Sequence, residues 1–394
     1  MPVLVIKEEE RRNIKIKNNP PRLITPKMRG YGESGEKASA TANGSECLDA
    51  NRNQAAADRQ ADPRPQTLPI YPITKSDKTV ADLVDIGAYL TNPAFDRAVM
   101  PSILERASKA GVKYIVVLGV NLSSSRSALK LCDEFDGKYS GVQLRCVVGV
   151  GPTHATSTIC KTDSEGQYLF GGPTFYRQLE ELIYTKLGRK YVVGIGECGL
   201  DYSGTKNNET ERVSQRKVLR KQMELAEKLG LPVVLRTREA YPDLVTVIKP
   251  YLAKVKCVVG SYDGPIKPLN ELLEAGVYIG LNGGCTNRKG FDLNIMNETP
   301  WNRCMVGSAA PFQVPRNIKI VRRDKYLNNE PCSISFVVKR LAELDDQSYE
   351  AAAAYTSKAA MKFFGLGQVG KTTENGERGS EDSQDPAALV YRSL

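Results

Sequence analysis

The chain has 394 residues, 41% of them apolar and 25% charged, a balance that suits one large or two ordinary globular domains and excludes a fibrous or wholly disordered polymer. Its 55 Lys and Arg against 45 Asp and Glu leave a formal charge of +10, compatible with an acidic partner such as nucleic acid. A single histidine, His154, excludes a zinc or two-metal centre built on several imidazoles.

Residues 1–78 contain the pair Pro20 and Pro21, a stretch over 30–44 rich in Gly, Ser and Ala, and a polar run over 51–65. Few apolar residues recur at either regular period. The segment cannot bury enough surface to offset its chain entropy, so a disordered polar arm is expected. Within it Ile14 and Ile16 alternate and Leu23 and Ile24 follow, which suits a peptide that adds a strand to a protein partner or folds back on its own body, an inert solubilising tail being the other reading. No apolar run nears the roughly 18 residues of a spanning helix, and the opening MPVLVIKEEERR carries its charges after its apolar run, unlike a secretory leader. The expectation is a cytoplasmic protein, the nucleus being the other compartment, with no membrane contact. Nine widely spaced cysteines without a CxxC pair agree, reading as reduced thiols.

From residue 79 to 367 the pattern changes to a regular alternation. Strand-length apolar runs fall at 82–86, 113–120, 143–150, 191–196, 232–236, 256–260, 277–281 and 303–307. Helix-like segments lie between them at 94–110, 123–134, 175–187, 211–229, 242–252 and 266–275, and a last pair at 332–344 and 349–364 closes the unit. Continuous apolar runs suit strands covered on both faces, hence a parallel sheet. Eight of them separated by helices make a (β/α)8 TIM-type barrel the expected α/β fold, with a doubly wound open sheet as the alternative. Gly111, Gly230 and Gly276 stand where left-handed helix caps belong. Residues 368–394 form a second polar tail, also expected to be disordered.

In a parallel barrel chemistry sits at the C-terminal strand ends. Those positions supply Asp85 and Tyr89, Gly151 to His154, Glu197 and Asp201, Arg236, Arg238 and Glu239, Gly260 to Asp263, and Ser308 to Pro311. Glu197 heads ECGLD after an apolar run and should point to the mouth, as a metal ligand or general base, or else as the partner of an arginine on the next strand. Arg236 and Arg238 alternate, so both face one side with Thr237 opposite. Their guanidinium groups would either replace a divalent cation beside Glu197 or receive a phosphate, and both readings oppose a metal there. His154 reads as an ordinary loop residue, and Trp301 and Phe312 read as packing residues.

The order of motifs across this body resembles the TatD-type metal-dependent deoxyribonucleases, members of the amidohydrolase-like barrels. DIGAYLTNPAFD resembles their first-strand motif, VVGIGECGLDY their most distinctive signature, and LPVVLRTREA their fifth strand end. VVGSYDG, GVYIGLNGG, VGSAAPF, the NEP at 329–331 and KFFGL complete the series. The resemblance implies hydrolysis of DNA with one or two divalent cations. It implies ligands from a histidine motif after the third strand, a glutamate after the fourth, histidines after the fifth and sixth and an aspartate after the eighth. At those positions this sequence has Gly151 (with Thr153 at the motif's second histidine), Glu197, Arg236, Gly260 and Ala309; Tyr89 stands for the asparagine of the first motif, while Asp201 and Arg238 persist.

Glu197 is thus the one ligand retained, and no cofactor is expected. The leading expectation is a catalytically impaired homologue, a pseudoenzyme with vestigial Glu197 and Asp201, acting as a binding or structural protein through residues 1–78. The alternative is a deoxyribonuclease or other phosphoesterase whose Mg or Mn is held by a rebuilt oxygen set of Asp85, Glu239 and Asp263 beside Glu197. Non-catalytic nucleic-acid binding through Arg236, Arg238 and the RNIKIK and IVRRDK segments is a third reading.

Overall fold

Val-, Ile- and Leu-rich runs with no polar alternation have no face to give to water, so both faces must be covered. In the computed structural model, which describes residues 82–139, 141–162, 168–170, 174–204, 208–287, 293–318 and 328–367, these runs form eight strands. They are β1 (Leu83–Ala88), β2 (Val112–Leu118), β3 (Gln143–Val148), β4 (Val192–Asp201), β5 (Val233–Arg238), β6 (Cys257–Val259), β7 (Tyr278–Leu281) and β8 (Cys304–Val306). Each pairs in parallel with the next, in the order β1 to β8. The sheet nearly closes: past the end of β8, the Ala309 N–H donates to the Gly87 carbonyl and the Tyr89 N–H to that of Ala310, each at 2.8 Å. The (β/α)8 barrel expected from the alternation is therefore the fold. All described residues lie in the unit that runs from Pro65 to Leu394.

The principal helices are α1 (Met100–Lys109), α2 (Leu122–Phe135), α3 (Thr174–Tyr184), α4 (Glu209–Leu229), α5 (Tyr241–Ile248), α6 (Ile266–Glu274), α7 (Ile334–Leu344) and α8 (Tyr349–Phe364). Local chemistry sets their ends. Asn121 and Ser124 form a reciprocal capping box on α2, and α4 starts with the Asn208 side chain accepting from the Glu211 N–H and stops at Gly230, whose φ is +62°. Where the expected 94–110 helix begins, Pro101 instead sits in the first turn of α1 and a short 3-10 turn precedes it. The expected 175–187 helix is two, because the Thr185 hydroxyl accepts the Gly188 N–H and starts a new helix at Lys186. A small antiparallel hairpin of Cys160–Thr162 with Tyr168–Phe170 is not apparent from the sequence pattern.

Among the described residues three apolar clusters hold the unit, one of them a small group around Ala110, Ile318, Cys332 and Phe336. The largest lies between the sheet and its outer helices, and the second fills the barrel with Val84, Ile86, Val116, Val147, Val234 and Met305. The end of α8 closes the strand-start end of that interior, with Phe363 edge-on to Tyr278 at 5.1 Å. With this end sealed, the only place for polar side chains to converge is the opposite mouth. The disordered arm expected over 1–78 and the tail expected over 368–394 lie outside the described residues. Among the described residues no helix is long and apolar enough to cross a membrane.

Candidate functional site

β4 and β5 build the centre of the mouth. β4 pairs with β5 through Ile195 with Val233 and then, after an irregularity that contains Glu197, through Cys198 with Leu235 and Gly199 with Arg236. Gly199 has φ +141°, and a Cβ there would run into the Arg236 carbonyl oxygen. Only glycine lets the two strands approach so closely at this point. The irregularity turns Glu197 inward, where it is 5% exposed, and its N–H donates to the Gly119 carbonyl at 2.7 Å.

The Glu197 carboxylate is occupied by protein groups. The Tyr89 hydroxyl lies 2.8 Å from both Oε1 and Oε2 and donates to them, while its own oxygen accepts from Arg236 Nη1 at 3.2 Å. Arg236 Nη1 stands 3.9 Å from Glu197 Oε2, and its Nε stands 3.8 Å from Asp201 Oδ2. Asp201 also accepts from the Ser203 N–H and hydroxyl. The pairing of Glu197 with an arginine of the next strand is thus present, with Tyr89 as the group between them. Burial, the largest influence, pushes the Glu197 pKa up, and the Arg236 charge and the Tyr89 hydrogen bond pull it back. Burial and the Glu197 charge push the Tyr89 phenol well above its ordinary value. For Arg236 burial opposes the charge, but Glu197, Tyr89 and Asp201 outweigh it and hold its pKa above the ordinary one.

Asp85 has a different place from the one expected. β1 continues to Ala88, so Asp85 lies inside the strand and is 0% exposed. Its Oδ1 accepts the Gly87 N–H at 3.0 Å and the Ser308 N–H at 2.8 Å, which laces β1 to the segment after β8. Its Oδ2 is buried without a hydrogen-bond partner. Burial pushes its pKa up to about 6 against these hydrogen bonds. Asn329 holds the same segment from outside, its Nδ2 donating to the carbonyls of Ser308, Phe312 and Gln313, and the adjacent Glu330 makes a two-point ion pair with Arg106 of α1.

The remaining candidates scatter. Arg238 and Glu239 are exposed at the end of β5, Glu239 at φ +51°, and the charge of Arg238 still reaches Glu197. Asp263 is exposed and accepts from the Tyr241 hydroxyl at 3.3 Å. His154 sits in a short 3-10 turn with its Nε2 3.4 Å from Asn121 Nδ2. The proposed oxygen set of Asp85, Glu239 and Asp263 is therefore not assembled: one carboxylate is bound to backbone inside a strand and the other two face solvent. Among the described residues no three of His, Cys, Asp and Glu form a group that could hold a metal ion. Gly151 and Gly260 have room: a Cβ would come no nearer than 3.6 Å and 3.4 Å to its neighbours. Ala309 is held at φ +51°. The packing role expected of Phe312 also needs correction, since its ring is 53% exposed and edge-on to Tyr89 at 5.7 Å, forming part of the rim.

Two supporting residues escape a sequence reading. Gln215 and Gln222, two turns apart on the buried face of α4, each act as a substitute strand amide. Gln222 accepts the Val150 N–H at 2.8 Å and donates to the Val150 carbonyl at 3.0 Å; Gln215 does the same for Asp201 at 2.7 and 3.0 Å. They fix the backbone after β3 and at the end of β4, either side of Glu197. The only signal in the sequence is their seven-residue spacing within an apolar stripe.

Comparison with known proteins places this geometry. The family model described as TatD related DNase matches residues 84–365. Curated proteins named 3'-5' ssDNA/RNA exonuclease TatD from Erwinia tasmaniensis and Pantoea ananatis are each 30% identical to this chain, over 72% of it and the whole of their own length. Among solved structures, a TatD family hydrolase from Entamoeba histolytica superposes with a TM-score of 0.60 at 21% identity, covering 73% of this chain and 99% of its own. A TatD homologue from Escherichia coli K12 does so with a TM-score of 0.60 at 20% identity and the same two coverages. The barrel, the ECGLD strand end and the full-length match agree: the chain belongs to the TatD related DNase family.

Proposed function

We propose that this chain is a TatD-family barrel that no longer carries out metal-assisted phosphodiester hydrolysis and works as a binding or structural protein. The observation that carries the proposal is the Tyr89, Glu197 and Arg236 cluster. One phenol proton is shared between the two Glu197 oxygens and a guanidinium stands 3.9 Å from one of them, so the carboxylate already has a positive partner within the fold. A divalent ion entering beside Glu197 would meet the fixed positive charge of Arg236. The other positions that match the family's ligands carry Gly151, Gly260 and Ala309, none with a side-chain donor. Gly151 and Gly260 have space for a Cβ, so packing alone does not demand glycine at either. The residues present do not fit the divalent cation the family uses.

What the protein binds is assigned to residues 1–78, in which the Ile14, Ile16, Leu23 and Ile24 segment supplies the apolar residues a partner sheet would need. Seven free, buried cysteines among the described residues suit a reducing compartment, the cytoplasm or nucleus. The second reading, a nuclease using Mg or Mn, is favoured by one finding, the full-length similarity to curated 3'-5' ssDNA/RNA exonucleases. A degradation assay on labelled single-stranded DNA and RNA with added Mg or Mn separates the two. The expected result is no cleavage beyond that of Glu197→Ala prepared alongside. Cleavage by the wild-type protein that Glu197→Ala abolishes overturns the proposal.

A further inference from the structure

The strand-start end of the barrel, opposite the mouth, carries a run of basic side chains that the Glu197 cluster does not use. The last turns of α8 close this end, with Lys358 and Lys362 exposed one helical turn apart and Met361 half-buried between them. The run continues along the sheet. A Cβ on Gly367, just past α8, would lie 3.9 Å from the Tyr114 hydroxyl, and Lys113 stands beside Tyr114 at the start of β2. Tyr114 pairs with Gln143, whose Oε1 accepts from Arg145 Nη2 in β3. Lys138 lies in the turn before β3, and Lys190 precedes β4. Neighbouring strands are about 4.8 Å apart, so these charges form one continuous arc.

The acids of the arc are fewer and mostly engaged. Asp136 is paired with Arg145 at 3.2 Å and Asp133 accepts from the Tyr191 hydroxyl at 3.3 Å, while Asp82 lines a groove with Lys358 and Lys362. Among the described residues none of the five lysines forms an ion pair. Helix dipoles account for Lys190 and Lys362, each in a last turn, but not for Lys113 or Lys358. Glu350, at the far end of α8, lies about 18 Å from Lys362 at ~1.5 Å per residue, beyond the roughly 8 Å over which salt screens exposed charges.

Two features say which polyanion suits the arc. Its uncommitted cations are lysines, hydrated point charges that need no fixed partner geometry, whereas the guanidinium of Arg145 is held by Asp136 and the Leu144 carbonyl. Tyr355, one turn before Lys358, and Tyr184, at the end of α3, are 46% and 50% exposed. They flank the charges, as tyrosines do at a membrane interface, and are not interleaved with them as base stacking would need. We propose that this arc is a docking surface for an anionic lipid leaflet, on which the barrel lies peripherally with its mouth turned to solvent. The expectation of no membrane contact rests on the lack of a spanning run, and a surface of this kind needs none. The proposal does not depend on the loss of hydrolysis, since the arc and the mouth are at opposite ends of the barrel.

The test is flotation of the full chain with phosphatidylcholine vesicles, with and without about 30% phosphatidylserine, at about 0.1 and 0.5 M salt. Binding is expected with phosphatidylserine at the lower salt and not otherwise. Lys358→Glu combined with Lys362→Glu, and separately Lys113→Glu combined with Lys190→Glu, should each lower the partition coefficient at least about tenfold. Arg126→Glu combined with Lys267→Glu makes the same change of charge at exposed positions early in α2 and α6, on the mouth half, and should leave binding unchanged. An equal loss in that control would assign binding to net charge, and full binding by both arc variants would assign it to residues outside the arc; either result overturns the proposal. So would the absence of phosphatidylserine-dependent binding, and a DNA duplex bound instead through the same four lysines would make the arc a nucleic-acid surface.

Discussion

In the proposed reading Arg236 replaces a cation that could leave with one that cannot. A buried carboxylate needs a counter-charge, and a guanidinium on the neighbouring strand supplies it as part of the fold. Replacing Arg236 by Met should therefore do more than remove a contact. Glu197 would be left buried with the Tyr89 hydrogen bond and the more distant Arg238 charge, its pKa would rise further, and the fold should lose on the order of 2–4 kcal/mol at neutral pH, measured by chemical denaturation. That loss should shrink as Glu197 is protonated at lower pH, and a pH-independent loss would mean that Arg236 matters by packing alone. Asp85 makes a second, independent test. Its pKa of 3.8 in the unfolded chain rises to about 6 in the fold. At pH below about 4 the carboxyl is neutral in both states and carries no penalty. Between about 4 and 6 the folded form holds a proton that the unfolded form releases, so stability falls as pH rises, and above about 6 the full penalty, about 3 kcal/mol, applies. Asp85→Asn should keep the Oδ1 acceptor and remove this dependence. The stability difference between wild type and variant should then turn against wild type from pH 4 to 7.5, and parallel profiles would contradict the assignment.

At the scale of elements, the parallel strands were legible because both faces are covered, which turns each into an unbroken apolar run in the sequence. Strand ends were less so. β4 continues through ECGLD to Asp201 and β1 runs on to Ala88, two residues beyond its apolar run, because backbone partners outside the local window carry them on. For the same reason Glu197 and Arg236 could be paired from adjacent strands, whereas the Tyr89 bridge could not. It joins β1 to β4 across the barrel mouth, and nothing in a single sequence fixes that crossing. Gln215 and Gln222 look like imperfections in the apolar stripe of α4 and are in fact its attachment points. Gln222→Ala should leave the N–H and carbonyl of Val150 unpaired in a buried site, costing about 2–4 kcal/mol. A thermal-denaturation midpoint within a degree or two of wild type would show that water replaces the amide.

For the whole molecule, one closed end and one polar end follow from where the C-terminal helix packs. α8 stops the strand-start end with Phe363 and Phe364, and the Tyr89, Glu197 and Arg236 cluster sits at the opposite end of the interior. Family membership explains the barrel and the position of the cluster, and the residues at that position decide the chemistry. The central claim is that Arg236 occupies the electrostatic place of a divalent cation. Calorimetric titration of Mg, Mn and Zn into wild type and Glu197→Ala, with elemental mass spectrometry of the protein as purified, tests it most directly. No stoichiometric site is expected in either protein. One equivalent of metal bound by wild type and lost in Glu197→Ala would contradict it.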